Sequence, residues 1–108
     1  MATEAEIQRG IVTFLRSIGG AVWVTSQGYR KDPGGTRMTP GLPDLIVMFA
    51  YKRKGWTFAE VKTPKGKLSP AQVVFRDEAI AAGVPWEMWR SIDDAAEWAK
   101  RRGLVAGA

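Results

Sequence analysis

The chain predicts an α/β fold in the order helix, three strands, helix, strand, helix, and three observations support it. Apolar residues recur at helical spacing near the N-terminus, where Ile7, Ile11, Phe14, Leu15 and Ile18 line one face of a helix from about Thr3 to Ile18. Short runs rich in β-branched and aromatic residues then recur between turn signals, and Ser69-Pro70 and Ser91 each open a further helical stretch. At 108 residues a single domain over 1–108 is expected, small enough that a second copy could help to bury apolar surface.

Each element has a local reason. Thr3 followed by Glu6 matches a capping box, and Gly19-Gly20 stops the first helix. Ala21 to Thr25 reads as a strand, followed by a long Gly- and Pro-rich passage from Ser26 to Pro43, and a loop of that length in a small domain is usually functional or mobile. Leu45 to Ala50 and Trp56 to Lys62 are strands joined by a turn over Tyr51 to Gly55 that carries three consecutive cations. Ser69-Pro70-Ala71-Gln72 starts a second helix, with proline at its first position and a possible Ser69/Gln72 capping box, and Gly83 ends it. Val84 to Arg90 is a further short strand, and Ser91 caps a last helix that ends near Arg102-Gly103.

Composition removes whole classes of chemistry. With no cysteine and no histidine the chain has no disulfide, no thiol nucleophile, no histidine general base and none of the usual zinc ligand sets. Catalysis would have to run on carboxylates, lysine and oxygen-loving metals. The 16 Lys and Arg against 11 Asp and Glu give a formal net charge of +5, which favours a polyanionic partner. The first residues are acidic, and no apolar run approaches the roughly 20 residues of a membrane span, so a cytoplasmic protein is expected.

Asp44, Glu60 and Lys62 stand out because each falls within or beside a largely apolar strand. Alternation puts Glu60 and Lys62 on one face with Val61 turned away. Carboxylates in an open oxygen-rich site suit Mg²⁺ or Mn²⁺, so Asp44 and Glu60 are the candidate metal ligands, and Lys62 would orient a water or neutralise a phosphate. Asp44 shares that face only if it pairs opposite an even-numbered position such as Lys62, which predicts an odd-length turn or a bulge. The competing reading is an exposed strand of alternating polarity, with Asp44 merely capping the turn after Pro43. Glu6 falls off the apolar stripe and serves the cap of Thr3, whereas Glu4 lies on the inward face, as a further site residue or as an acid at the positive helix end. Gln72 has two open roles as well: capping Ser69, or reaching a metal-bound water.

These residues resemble the VRR-NUC family, the virus-type replication-repair nucleases of the PD-(D/E)xK superfamily. The resemblance runs through Glu4 and Gln8, Gly41-Leu42-Pro43-Asp44-Leu45, Glu60-Val61-Lys62 and Leu68-Ser69-Pro70-Ala71-Gln72. It implies a restriction-endonuclease-like core with a mixed β-sheet flanked by helices, a Mg²⁺ or Mn²⁺ cofactor, and DNA substrates. By position it implies Asp44 and Glu60 as metal-binding carboxylates, the backbone carbonyl of Val61 as a further ligand, Lys62 as the catalytic lysine, and Glu4 and Gln72 as accessory residues. Small stand-alone members from phages and bacteria are similar to Holliday junction resolvases and act as homodimers, so the resemblance implies a compact dimer that cuts branched DNA.

Phosphate contacts dominate nucleic-acid affinity, which singles out Arg30, Lys31 and Arg37 in the long loop and Lys65 and Lys67 after the Glu-x-Lys strand. Lys52-Arg53-Lys54 and Lys100-Arg101-Arg102 are given no site role. The five tryptophans are expected mostly in the core or at a subunit interface. No element reads as a base-reading helix, so structure-selective binding is expected. The alternative, a non-catalytic DNA-binding or assembly subunit on the same fold, would be expected to lose Asp44, Glu60 or Lys62, and all three are present.

Overall fold

The computed structural model describes residues 1–25, 39–50 and 55–105. Within them the elements run α1 (Glu4–Ser17), β1 (Ala21–Val24), β2 (Leu45–Met48), β3 (Trp56–Val61), α2 (Pro70–Ala81), β4 (Trp86–Trp89) and α3 (Ile92–Arg101). The order is the expected one, and the boundaries differ from expectation by a residue or two at element ends. Most of the expected long loop and of the cationic turn, residues 26–38 and 51–54, lies outside the described residues.

Local chemistry accounts for the helix ends. The Thr3 hydroxyl accepts from the Glu6 N–H at 3.1 Å while the Glu6 carboxylate accepts from the Thr3 N–H at 3.2 Å, so two otherwise unpaired donors are satisfied together. At the other end Gly19 takes φ +96, a left-handed conformation that favours glycine, and the Gly20 N–H closes the helix on the Leu15 carbonyl. Ser69 with Gln72 repeats the capping box for α2, and the Ser91 hydroxyl caps α3 through the Asp94 N–H.

The four strands form one mixed sheet in the order β1-β2-β3-β4. The first two pairings are antiparallel and β3 runs parallel to β4, the crossover between them carrying α2. Side chains alternate across this sheet. Val22, Leu45, Val47, Ala59, Val61 and Trp89 point to one face and are buried with Ile11, Val12 and Leu15 of α1 and Ala95, Trp98 and Ala99 of α3. Trp89 and Trp98 meet at 5.6 Å between ring centres at the middle of this core. Phe58 points the other way and takes the edge of Phe75 from α2 at 5.2 Å, so α2 covers the opposite face. Trp23 and Trp56 remain exposed on the sheet, unlike the two core tryptophans.

The register brings the two carboxylate-bearing strands into phase. Leu45 opposes Ala59 and Met48 opposes Trp56, and the Phe49 N–H continues the ladder to the Gly55 carbonyl. The connection left between that last pair, residues 50–54, is odd in length. One step back along the register, Asp44 stands opposite Glu60, which is the even-numbered pairing that a shared face requires. Among the described residues no helix is long and apolar enough to cross a membrane.

Candidate metal centre

Asp44 is held by the backbone around it. Gly41 adopts φ +81, and a Cβ there would lie 2.2 Å from the Ala71 carbonyl oxygen, so only glycine lets this segment approach the first turn of α2. Pro43 is fully buried and its carbonyl accepts from the Thr25 hydroxyl, while the Thr25 N–H donates to the Asp44 carbonyl at 2.8 Å. The entry to β2 is thereby tied to the end of β1. The Asp44 carboxylate then accepts from the Val61 N–H at 2.8 Å.

This last bond has a consequence for Val61. The antiparallel register, continued, sets Val61 opposite Pro43, and proline has no N–H to return to the Val61 carbonyl. A residue's N–H and C=O point to the same strand edge, so that carbonyl lies on the edge where Asp44 sits.

Glu60 is 1% exposed, deep in a position where an ionised group needs a partner. Its Oε1 accepts from the Gln72 side-chain amide at 2.9 Å, but its Oε2 is buried without a hydrogen-bond partner. Burial pushes its carboxyl up to about 9 from 4.5; the adjacent Asp44 reinforces the shift, Lys62 opposes it and Glu4 adds to it. In the absence of a cation the proton therefore stays on Glu60 at neutral pH.

Glu4, in the first turn of α1, completes the cluster. One carboxylate oxygen each from Glu4, Asp44 and Glu60 lie within 4.8 Å of one another, a grouping that could hold a metal ion. The donor set fits a hard divalent cation, because it is all oxygen, and such an ion would satisfy the Glu60 Oε2, which accepts no hydrogen bond among the described residues. Lys62, half-buried, follows the last residue of β3, and its N–H bonds the Trp89 carbonyl at 3.0 Å.

Gln72 caps its helix and also reaches the carboxylate cluster. Its amide oxygen accepts from the Ser69 N–H at 2.7 Å and its amide nitrogen donates to Glu60, so one side chain caps the helix and fixes a carboxylate of the cluster. Glu6 is committed to the Thr3 capping box and Glu4 to the cluster. Lys65 and Lys67 are exposed on the connection between β3 and α2, whereas Arg30, Lys31 and Arg37 lie outside the described residues. Sequence reasoning missed Arg90. Its Nη1 donates to the carbonyls of Thr63 at 2.6 Å, Pro64 at 3.1 Å and Gly66 at 2.7 Å, holding the turn that follows Lys62. With 24 to 27 residues between the partners, no local pattern announces this clamp.

A mixed sheet flanked by helices, with a Glu-x-Lys strand beside an Asp-bearing one, defines a nuclease-type fold. The VRR-NUC domain family matches residues 11–93, and the chain belongs to that family. The match starts after Glu4, and the geometry sets that residue beside Asp44 and Glu60. A solved structure described as a VRR-NUC domain superposes with a TM-score of 0.69 over 92% of this chain and 97% of its own, at 23% identity, which shows the shared fold. Comparison with curated proteins found no match.

Proposed function

We propose that this protein is a metal-dependent DNA endonuclease that hydrolyses phosphodiester bonds in branched DNA such as Holliday junctions, and that it acts as a cytoplasmic homodimer built from one nuclease domain over 1–108. The observation that carries the reading is the convergence of Glu4, Asp44 and Glu60, with a buried Glu60 Oε2 that accepts no hydrogen bond among the described residues. Asp44 and Glu60 hold the cation, with the Val61 carbonyl and Glu4 as further ligands. Bound there, Mg²⁺ or Mn²⁺ supplies a lowered pKa for water and compensation of charge on the phosphate. Gln72 keeps the Glu60 carboxylate in place through its amide. Lys62 orients the attacking water or neutralises the phosphate as the new P–O bond forms and the leaving oxygen departs. Arg30, Lys31, Arg37, Lys65 and Lys67 contact flanking phosphates. The exposed Trp23 and Trp56 leave apolar surface that a second copy would cover, in keeping with a dimer.

The deciding experiment incubates purified protein with a four-way junction, a flap, a plain duplex and single strands, each with Mg²⁺, Mn²⁺ or chelator. Metal-dependent cleavage strongest on the junction is expected, and Asp44→Ala or Glu60→Ala should abolish it while metal-free DNA binding persists. Cleavage that survives either substitution rejects the metal-site assignment.

A further inference from the structure

We infer that a groove along the outer side of α1, beside the carboxylate cluster, binds the phosphodiester backbone of DNA through Arg9 and Arg16. The inference rests on the nuclease reading and adds to it a backbone track through two α1 arginines to which neither motif nor loop composition gave a role.

The groove has a volume of about 270 Å³ and is walled by Gln8, Arg9, Thr13 and Arg16 over an apolar floor of Val12 and Val24. Its polar lining is rich in donors. A guanidinium presents N–H groups and no acceptor, Gln8 and Thr13 can donate as well, and among the described residues no carboxylate lines the space. Other cavities differ in this respect: the larger one between the starts of α1 and α3, about 580 Å³, is lined by Glu6 and Asp93, and the one between β4 and α3 by Glu87, Asp94 and Glu97. A groove with two permanent cations and no counter-charge among the described residues suits an anion, and the planar fork of Arg matches phosphate oxygens two at a time.

Position makes that anion a DNA backbone. Gln8 stands one helical turn beyond Glu4 on the same side of α1, and Val24 is followed by Thr25, whose N–H bonds the Asp44 carbonyl. The Gln8 and Val24 end of the groove thus borders residues that hold the carboxylate cluster, and the Arg16 end, bonded to the Val22 carbonyl, lies farther from it. Arg9 and Arg16 are separated by seven residues, roughly 10 Å along the helix axis, far enough apart to meet different phosphates of one strand. A strand entering the cluster would therefore meet successive phosphates along the groove.

The cations are available for this. Arg16 is held by one bond from its Nη2 to the Val22 carbonyl at 2.9 Å, which orders the side chain while using one of its five N–H donors. Among the described residues neither Arg9 nor Arg16 forms an ion pair. The Glu6 carboxylate is held below its ordinary pKa chiefly by its hydrogen bonds with Thr3, and the charge of Arg9 contributes least.

The test measures binding of a labelled duplex and a labelled four-way junction by fluorescence anisotropy in chelator across a salt series. Arg9→Gln with Arg16→Gln should lower the slope of log Kd against log salt by about 2 and weaken binding roughly ten-fold at low salt, since each lost phosphate contact removes about one unit. Arg9→Gln alone, which removes no hydrogen bond among the described residues, should lower the slope by about 1. Lys100→Gln with Arg101→Gln, an equal change in net charge at the far end of α3, should leave the slope unchanged. A wild-type slope in the groove variants, or an equal drop in the α3 control, would overturn the groove assignment while leaving the nuclease reading intact. Wild-type protein that binds neither DNA, and gains no thermal stability from Mg²⁺, would overturn both.

Discussion

Replacing Glu60 with Gln removes one titratable group and little else, and it isolates the most unusual feature of the site. The side chain is 1% exposed, its Oε2 has no partner, and its carboxyl is pushed up to about 9 from 4.5. The unfolded chain loses this proton above the lower value, while the folded chain keeps it until the higher one. Between them the native state binds the extra proton, so stability is complete below the unfolded pKa and falls as pH rises, by about 1.4 kcal/mol per unit, until it levels off beyond the folded pKa. At pH 7, about 2.5 units above the unfolded value, the metal-free protein carries a penalty of about 3 kcal/mol that a glutamine of the same shape does not. Glu60→Gln should therefore be more stable than the parent by about 3 kcal/mol at neutral pH in chelator, a large share of the 5 to 15 kcal/mol typical of a domain. Near pH 4.5 the two proteins should converge, and the gap should widen toward pH 9. Urea denaturation followed by circular dichroism across this range measures it. On the proposed reading Mg²⁺ should reverse the order, because it would bind the ionised carboxylate and stabilise only the parent. A stability difference that does not change with pH would falsify the account of a proton held by burial.

Three further outcomes follow from the same geometry. Gly41→Ala should destabilise the fold by at least about 2 kcal/mol in urea, since a Cβ at positive φ meets the Ala71 carbonyl, and a variant as stable as the parent would refute the close approach. Gln72→Ala should cost about 2 to 3 kcal/mol by thermal denaturation, combining the lost cap with an unpaired Glu60 oxygen, whereas a loss no larger than a cap alone would mean the bond to Glu60 carries little. Arg90→Ala should cost about 2 kcal/mol and speed hydrogen exchange at the Gly66 amide, with unchanged exchange there ruling out the clamp.

Much of this protein was legible in the chain because the relevant contacts are local. Thr3 with Glu6 and Ser69 with Gln72 lie three residues apart, so the residues that close each capping box are neighbours in sequence and announce the helix start by themselves. The periodicity of Ile7, Ile11 and Leu15 announced the buried stripe of α1 in the same way. The Asp44 to Glu60 relation was legible only as a condition, because parity across a hairpin depends on how many residues the connection absorbs.

Sequence alone determined the element order, the helix caps, the absence of thiol and imidazole chemistry, and the family. Tertiary structure decided the strand order, the pairing of Asp44 with Glu60, the arrival of Glu4 beside them, the double use of Gln72 and the hold of Arg90 on the turn after Lys62. The division has one physical cause. Hydrogen bonds within a turn depend on residues a few positions apart, whereas burial, shifted proton affinities and the meeting of distant carboxylates depend on which surfaces pack together, and packing is set by the whole chain at once.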